Sequence, residues 1–389
     1  MRLNALRDKG ERVVTVNYNG EPAWLVLSYE DVAQIYTDEE NLPGSAAYKR
    51  HSEPVMGRMM LAMDGDEHRI NRLLVSKAFH PKAIRELAES LLYPLANELI
   101  DGFAGKIQID IVEDYAHKFP FSVITRMLGI PVEDNEQMIY WVNGLFSYPW
   151  APEEAKRISA EFTEYLAEVV RDRRRHPRAD LISQLTQAEA EGQHLSDEEI
   201  YSFIRLLFPA GADTTFYAIS SLMLTVLSEP GLKQRLLEHP ADRSKAVDES
   251  LRLNGTIVLQ SRYTEKAVTI AGTDIPANSW LLYGIGPANR DPNAFPEPDR
   301  FDLDRKPGKP LTFGKGPHFC LGSHLARAEM SVSLDVLLDR LQGLRLVEPG
   351  DSAITHVVLR GPRHLAVNFD KVLPPIQSDE FIGNITRQS

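Results

Sequence analysis

The pattern of apolar and polar residues predicts a protein built mainly from helices, with a smaller share of strands. Apolar side chains recur every three or four positions through most of residues 80–189 and again through 321–336, which is the repeat of an amphipathic helix. Two apolar runs enclose an Asn-Gly pair in residues 13–27, which predicts a β-hairpin. A short helix is expected from Ser28. Residues 268–283 and 354–369 are expected to form strands around glycine turns.

Several segments interrupt the helical pattern. Residues 42–63 contain two prolines, two glycines and little periodicity, so we predict a loop with at most short helical turns. Breaks are expected within the helical region near residues 129–131 and 147–152, where glycine and proline occur. The basic run at 171–175 is expected to be a solvated helix end.

One long helix is predicted over residues 196–229, about 50 Å at 1.5 Å per residue. Ser196 and Glu199 form a capping box at its start, and proline follows its last residue. In its middle, Pro209 cannot donate the usual backbone hydrogen bond, so a kink or widened turn is expected there. Asp213 and Thr214 place an acid beside a hydroxyl in an apolar stretch. Because local rules often fail at functional sites, this segment is a candidate site.

The only cysteine, Cys320, lies where a glycine-containing loop meets the last long helical pattern. Residues 313–322 read F-G-K-G-P-H-F-C-L-G. A thiol near a helix N-terminus lies among unpaired backbone N–H groups, so we expect a lowered pKa that favours thiolate, the metal-binding form. The alternative is a buried core cysteine, which is the commoner role of a free cysteine.

Composition narrows the function classes. The net charge of −12 argues against general nucleic-acid binding. A single cysteine excludes an internal disulfide, and no apolar run is long enough for a signal peptide or membrane anchor. We therefore expect a cytoplasmic protein that does not bind membranes.

The pattern F-G-x-G-x-H-x-C-x-G resembles the haem-thiolate loop of the cytochrome P450 family. The resemblance implies a mainly α cytochrome P450 fold, multihelical with small antiparallel β-sheets. It implies one haem domain over residues 1–389, with a C-terminal tail from about residue 371. It also implies haem b held by Cys320, whose thiolate donates electron density that favours O–O cleavage. Phe313 would shield the sulfur from water.

Further segments resemble the family's haem-binding positions. Residues 64–79 resemble the C helix, in which a pair spaced like His68 and Arg72 holds the haem propionates. Arg262 and His318 match two further propionate partners. Spacing alone favours the alternative, in which His68 and Arg72 are a solvated i,i+4 pair.

The stretch A-G-A-D-T-T resembles the family's oxygen-binding motif of the I helix. By this resemblance, Ala210 contacts the haem and Thr214 hydrogen-bonds the bound dioxygen. Asp213 would help to relay the two protons that reductive O–O cleavage consumes. A purely structural kink is the alternative.

Residues 249–252 resemble the family's E-x-x-R motif, which implies a buried structural triad of Glu249, Arg252 and Arg300. An exposed pair worth only about 0.3–0.5 kcal/mol is the alternative. Asn254 and Gly255 stand where many members have a proline. The backbone path of the following segment toward the haem could therefore differ from that in other family members. Whether Thr256, Ile257 and Val258 line the pocket stays open.

Aromatic residues cluster in 141–150, where family members have mobile helices over the substrate channel. Pocket candidates there are Phe146, Tyr148 and Trp150, with a core stripe as the alternative. Leu206 and Leu207 suggest a hydrophobic substrate.

The function implied is insertion of one atom of O2 into a hydrophobic small molecule, by hydroxylation or epoxidation. Electrons would come from NAD(P)H through a reductase and a ferredoxin or flavodoxin, docking on a monomer near Lys315, His324 and Arg327. Alternatives are a peroxide-using or isomerising member of the family, a haem electron carrier or gas sensor, and a structural helical protein without haem.

Overall fold

The computed structural model describes residues 2–131, 135–148, 151–306, 308–347, 354–355 and 359–375. Helices dominate this part of the chain. The first group is α1 Arg2–Asp8, α2 Tyr29–Ile35, α3 Ser45–His51, α4 Glu53–Met56, α5 Gly65–Ser76, α6 Pro81–Leu87, α7 Tyr93–Asp101, α8 Lys118–Leu128 and α9 Asn135–Phe146. The second group is α10 Pro152–Arg175, α11 Leu181–Gln187, α12 Asp197–Phe208, α13 Thr214–Ser228, α14 Leu232–Glu238, α15 Arg243–Asn254, α16 Ile285–Ala288 and α17 Ser323–Arg340.

The strands are short and lie mostly at the edges of the helical body. They are β1 Val13–Tyr18, β2 Glu21–Val26, β3 Gln108–Asp110, β4 Leu259–Thr264, β5 Val268–Ile270, β6 Thr273–Ile275, β7 Ser279–Gly284, β8 Leu341–Gln342, β9 Arg345–Leu346, β10 Ile354–Thr355, β11 Gly361–Pro362, β12 Ala366–Asn368 and β13 Lys371–Val372. The largest sheet among the described residues has the order β1-β2-β7-β4. In it β2 and β7 run parallel, whereas the other neighbours are antiparallel.

The N-terminal hairpin and the helix after it confirm the sequence prediction. Val13 pairs with Val26 across the hairpin, and Asn19 and Gly20 both have positive φ, as a two-residue hairpin turn requires. Ser28 caps α2 by accepting a hydrogen bond from the backbone N–H of Asp31.

The long helix across the molecule is interrupted, as its sequence predicts. Ser196 and Glu199 make the capping box at the start of α12. The π-helical turn Pro209–Asp213 separates α12 from α13, which ends before Glu229. Ten residues of α13 are buried, on all sides of the helix, and α13 packs against α8, α15 and α17. The interrupted helix therefore forms the centre of the core.

Some expectations were wrong. Residues 42–63 contain α3, α4 and the 3-10 turn Met60–Ala62, rather than a loop with at most short turns. The buried methionines there supply the apolar contacts that hold these helices. Arg173 is not part of a solvated end, because it is 4% exposed and its Nε lies 2.5 Å from Asp180 Oδ2. The first tail residues form β13, which pairs with β8, whereas residues 376–389 lie outside the described part.

None of the helices in the described residues is both long enough and apolar enough to cross a membrane.

Candidate active site

The loop that carries Cys320 is shaped by two glycines with positive φ. Gly314 and Gly316 have φ of 73° and 77°, a region that favours glycine. A Cβ on Gly316 would lie 2.7 Å from the carbonyl oxygen of Tyr36, so the loop packs against the end of α2. The N–H of Cys320 donates to the carbonyl oxygen of Phe313 at 2.9 Å. The loop therefore holds the cysteine just before α17.

Cys320 is exposed and lines a partly open cavity of about 830 Å³. Burial raises the pKa of its thiol, against the smaller opposing effects of the Gly322 N–H, Arg72 and Arg327. The predicted lowering of this pKa is therefore wrong for the chain without haem. Desolvation outweighs the helix terminus here, so a metal cation held at this sulfur would supply the stabilisation that the thiolate needs.

The same cavity is lined by three of the predicted propionate partners, His68, Arg72 and His318. His68 and Arg72 lie four residues apart on α5, and Arg72 Nη2 donates to the carbonyl oxygen of Phe319 at 2.6 Å. Arg72 thus contacts the cysteine loop directly. The alternative of a solvated pair fails for His68, which is 4% exposed.

His68 and His318 stack with ring centroids 4.0 Å apart. Burial lowers the pKa of each to about 4, with further lowering from nearby cations and, for His68, from His318. Both rings are therefore neutral at pH 7, and each offers one N–H donor. The fixed positive charge comes from Arg72 and from the buried Arg262, whose Nη1 lies 3.4 Å from the hydroxyl of Tyr283.

Within the described part of the chain, two buried side-chain nitrogens near this cavity have no hydrogen-bond partner: His68 Nε2 and Arg262 Nε. Buried polar atoms are normally satisfied, so these atoms suit a ligand with carboxylate groups. The residues present therefore fit haem propionates. Sequence reasoning missed Glu39, whose oxygens lie 3.9 Å from Arg262 Nη2 and 3.7 Å from His318 Nε2. Only its position in the fold beside Arg262 and His318 reveals it.

The wide turn between α12 and α13 carries the other predicted residues. Gly211 packs against α8, since a Cβ there would lie 2.7 Å from Ile124 Cδ1. Ala210 is exposed, and Thr214 Oγ1 donates to its carbonyl oxygen at 2.7 Å. Burial raises the pKa of Asp213 to about 6. The turn therefore presents an acid that can hold or release a proton near neutral pH, beside a hydroxyl.

The charge triad below the site differs from the expected one. Arg252 donates from Nε and Nη2 to both oxygens of Glu249, and both residues are buried. The third partner is Arg305, whose Nε donates to Glu249 Oε1 at 2.9 Å. Arg300 is wrong as that member, because its side chain is exposed and pairs with Glu297. It contributes only its carbonyl oxygen, to which Arg252 and Arg305 donate.

Of the aromatic pocket candidates, Tyr148 is half-buried and packs against the main core, which favours the core-stripe alternative for it. The Phe146 side chain and Trp150 lie outside the described residues. Thr256 and Val258 are each 5% exposed, and Ile257 makes an isolated β-bridge to Leu359.

A cysteine loop, buried donors for propionates and an acid-hydroxyl pair on a widened helical turn define the haem-thiolate class of proteins. The sequence model of the cytochrome P450 family matches residues 1–239 and 244–369. The chain belongs to the cytochrome P450 family, and it is accordingly a monooxygenase that binds haem b.

Its relatives include bacterial enzymes of known type. The polyketide biosynthesis cytochrome P450 PksS of Bacillus subtilis is 35% identical over 364 residues, which is 90% of each chain. The mycinamicin IV hydroxylase/epoxidase of Micromonospora griseorubida is 35% identical over 358 residues, also 90% of each. The solved PksS structure superimposes with a TM-score of 0.88 at 33% identity and covers 95% of this chain and 96% of its own. A complex of P450BioI with an acyl carrier protein bearing hexadec-9Z-enoic acid gives 0.86 at 30% identity, covering 95% and 97%.

Proposed function

We propose that the Cys320 thiolate would hold the iron of the haem and that the enzyme inserts one atom of O2 into a hydrophobic small molecule. The observation that carries this proposal is the Asp213–Thr214 pair on the wide turn. O2-dependent chemistry consumes two protons, and an acid with a pKa of about 6 beside a hydroxyl is suited to supply them. A peroxide-using enzyme needs no such supply.

In this proposal the haem supplies the oxygen chemistry, while the chain binds, orients and delivers protons. His68, Arg72, Arg262 and His318 hold the propionates. Asp213 would take up and release protons at its carboxyl group, and Thr214 would offer its hydroxyl as the neighbouring proton donor and acceptor. Phe313 would shield the Cys320 sulfur from water. The guanidinium carbon of Arg327 lies 4.5 Å from the centre of the Phe313 ring. Ala210 leaves space at the turn because its side chain is a single methyl group.

We assign the substrate to hydrophobic polyketide or fatty-acyl compounds. Named relatives act in polyketide biosynthesis or hydroxylate and epoxidise mycinamicin IV, and another holds a fatty acyl group on a carrier protein. The half-buried apolar side chains of Leu206 and Leu207 on α12 are compatible with such a compound.

Electrons are proposed to come from NAD(P)H through a reductase and a ferredoxin or flavodoxin. The proposed docking face lies on the cysteine side. It combines the exposed apolar side chains of Leu73 and Phe319 with the exposed Lys315 and His324. An apolar centre with basic residues at its rim suits an acidic carrier.

The axial ligand is tested by absorption spectra of the reduced protein with carbon monoxide. Cys320→Ala should lose the shifted band that thiolate ligation gives, whereas His324→Ala, four residues away in the same cavity, should keep it. Retention of the band by Cys320→Ala would disprove the assignment.

The reaction is tested with isotopes. Compounds are first screened for an optical spin shift, using macrolactones and fatty acids of graded length. Turnover with NADPH, a ferredoxin, its reductase and 18O2 should place one labelled atom in the product, whereas labelled water should place none. A product formed without reductant, or unlabelled by 18O2, would support the isomerising or peroxide-using alternative instead.

A further inference from the structure

The segment after α15 is tied to the central helix by two side-chain hydrogen bonds. Asn254 Nδ2 donates to Thr225 Oγ1 at 3.0 Å, and Thr256 Oγ1 donates to the carbonyl oxygen of Thr214 at 3.0 Å. A proline in this segment has no side-chain donor. The departure from the family's proline therefore introduces the Asn254 contact with α13, and the nearby Thr256 contacts the residue that follows the wide turn.

Thr256 is held firmly from the other side. It is 5% exposed, and its carbonyl oxygen accepts a hydrogen bond from the N–H of Arg360 at 2.8 Å. The next residue, Gly361, packs directly on α13, since a Cβ there would lie 2.4 Å from Tyr217 Cδ1. The segment that carries the Thr256 hydroxyl is thus fixed by its own backbone hydrogen bond and by packing against α13.

Thr214 lies next to an interruption in the regular α-helical hydrogen bonds of the backbone. It follows the π-helical turn Pro209–Asp213 and begins α13. Pro209 has no N–H to donate, and the widened turn changes the register of the backbone bonds. A carbonyl oxygen has two lone pairs, so that of Thr214 can accept the Thr256 hydroxyl in addition to a helical bond. The hydrogen bond from Thr256 therefore holds the peptide group that follows Thr214, directly beside the Thr214 side chain.

We propose that Thr256 is a positioning residue for Thr214: by holding its carbonyl oxygen, it fixes where the Thr214 hydroxyl points. The inference rests on the role proposed above for Thr214 in proton delivery. In this proposal Thr256 is not a catalytic residue. It acts through the geometry of the turn, and its loss should loosen that turn while leaving the helix in place.

The test compares Thr256→Val with Thr256→Ser and with a matched control, Thr225→Val. Each valine variant removes one hydroxyl from one of the two hydrogen bonds that join the segment after α15 to the central helix. Only the Thr256–Thr214 bond lies next to the wide turn. In the holoenzyme, peroxide released per NADPH is measured with the compound that gives the largest spin shift. Thr256→Val should raise it about threefold to tenfold, the effect of one lost hydrogen bond. Thr256→Ser and Thr225→Val should stay near the unmodified enzyme.

Hydrogen–deuterium exchange of peptides covering residues 205–220 gives a second readout, which needs no turnover. Exchange at the turn should rise in Thr256→Val and in Thr256→Ala but not in Thr256→Ser. Unchanged exchange and unchanged peroxide in Thr256→Val would overturn the inference, as would equal effects of Thr225→Val.

Thr214→Ala, measured in parallel, separates the two proposals. If Thr214→Ala releases peroxide and Thr256→Val does not, only the positioning role is rejected. If Thr214→Ala itself remains coupled, the proposed role of Thr214 fails, and the positioning inference fails with it.

Discussion

The hydroxyl of Thr214 donates its hydrogen bond back across the widened turn to the carbonyl oxygen of Ala210, at 2.7 Å. In this arrangement its proton is held inside the helix, while its lone pairs remain available to accept. The hydroxyl can therefore accept a hydrogen bond as it stands, and it passes its own proton on only after its bond to Ala210 is broken. The bond also stabilises the turn that makes this geometry possible.

The role of this hydroxyl predicts a specific defect. Thr214→Ala should bind haem and substrate normally but release most reducing equivalents as peroxide, because the turn no longer carries a hydroxyl. Thr214→Ser, which keeps the hydroxyl, should recover most product. Product and peroxide formed per NADPH are the measurements, and coupled turnover by Thr214→Ala would contradict the prediction.

Asp213 predicts a pH-dependent stability. Burial raises its pKa from the ordinary 3.8 to about 6, so the folded chain holds a proton that the unfolded chain has already lost between these values. Stability from this group is therefore full below about pH 4 and falls as pH rises to 6. The ionisation cost above pH 6 is about 3 kcal/mol.

Asp213→Asn removes that cost. Its unfolding free energy relative to the unmodified protein should rise between pH 4 and pH 6.5 and then level off, as measured by denaturant titration at several pH values. A difference that does not vary with pH would show that Asp213 is not buried as the structure places it. Glu265→Gln, at an exposed bend, is a suitable control for the loss of a carboxylate.

The buried triad predicts opposite results for two arginines five residues apart. Arg305→Ala leaves Glu249 short of a charged partner and should cost about 3 kcal/mol. Arg300→Ala keeps the backbone carbonyl that the triad uses and should change stability by no more than about 0.5 kcal/mol. Denaturant titration of both variants measures these changes in unfolding free energy. A larger loss of stability in Arg300→Ala than in Arg305→Ala would support Arg300 as the third member of the triad, as expected from the sequence.

The docking face predicts slower reduction after charge reversal at Lys315. This lysine is exposed and makes no ion pair within the described residues, whereas Arg327 Nε is paired with Asp248 at 2.9 Å. Lys315→Glu should reduce the rate of reduction by a ferredoxin about threefold to tenfold at low salt, with less effect at high salt. Stopped-flow kinetics measure this, and equal rates at all salt concentrations would reject the face.

Glu39 predicts a variant that holds haem more tightly. Its carboxylate faces Arg262 and His318, the groups proposed to hold propionates, so it competes with the ligand and repels it. Glu39→Gln keeps an oxygen for the N–H of Gly44 and should slow haem transfer to apomyoglobin by about tenfold. Glu40→Gln, an exposed neighbour in the same cavity wall, should leave the rate unchanged; faster transfer from Glu39→Gln would contradict the prediction.

Local chemistry explains which features were predictable from sequence. The capping box of Ser196, the hairpin at Asn19 and Gly20, and the widened turn after Pro209 each depend on residues adjacent in the chain. The candidate roles of Cys320 and the His68–Arg72 pair came from short motifs that resemble those of the family, whereas the spacing of His68 and Arg72 alone favoured a solvated pair. In each case the physical cause lies within a few residues, so the sequence alone contains it.

Other features depended on which distant segments meet. Glu249 pairs with Arg305 rather than Arg300 because the chain between residues 252 and 305 folds so that the Arg305 guanidinium reaches the Glu249 carboxylate. Burial by surrounding elements raises the pKa of Cys320 against the local helix effect. The Thr256–Thr214 bond joins residues 42 positions apart. Backbone pattern and local capping determined the helices and the haem motifs, whereas charge pairing and desolvation were decided by tertiary packing, because both depend on neighbours that are distant in sequence.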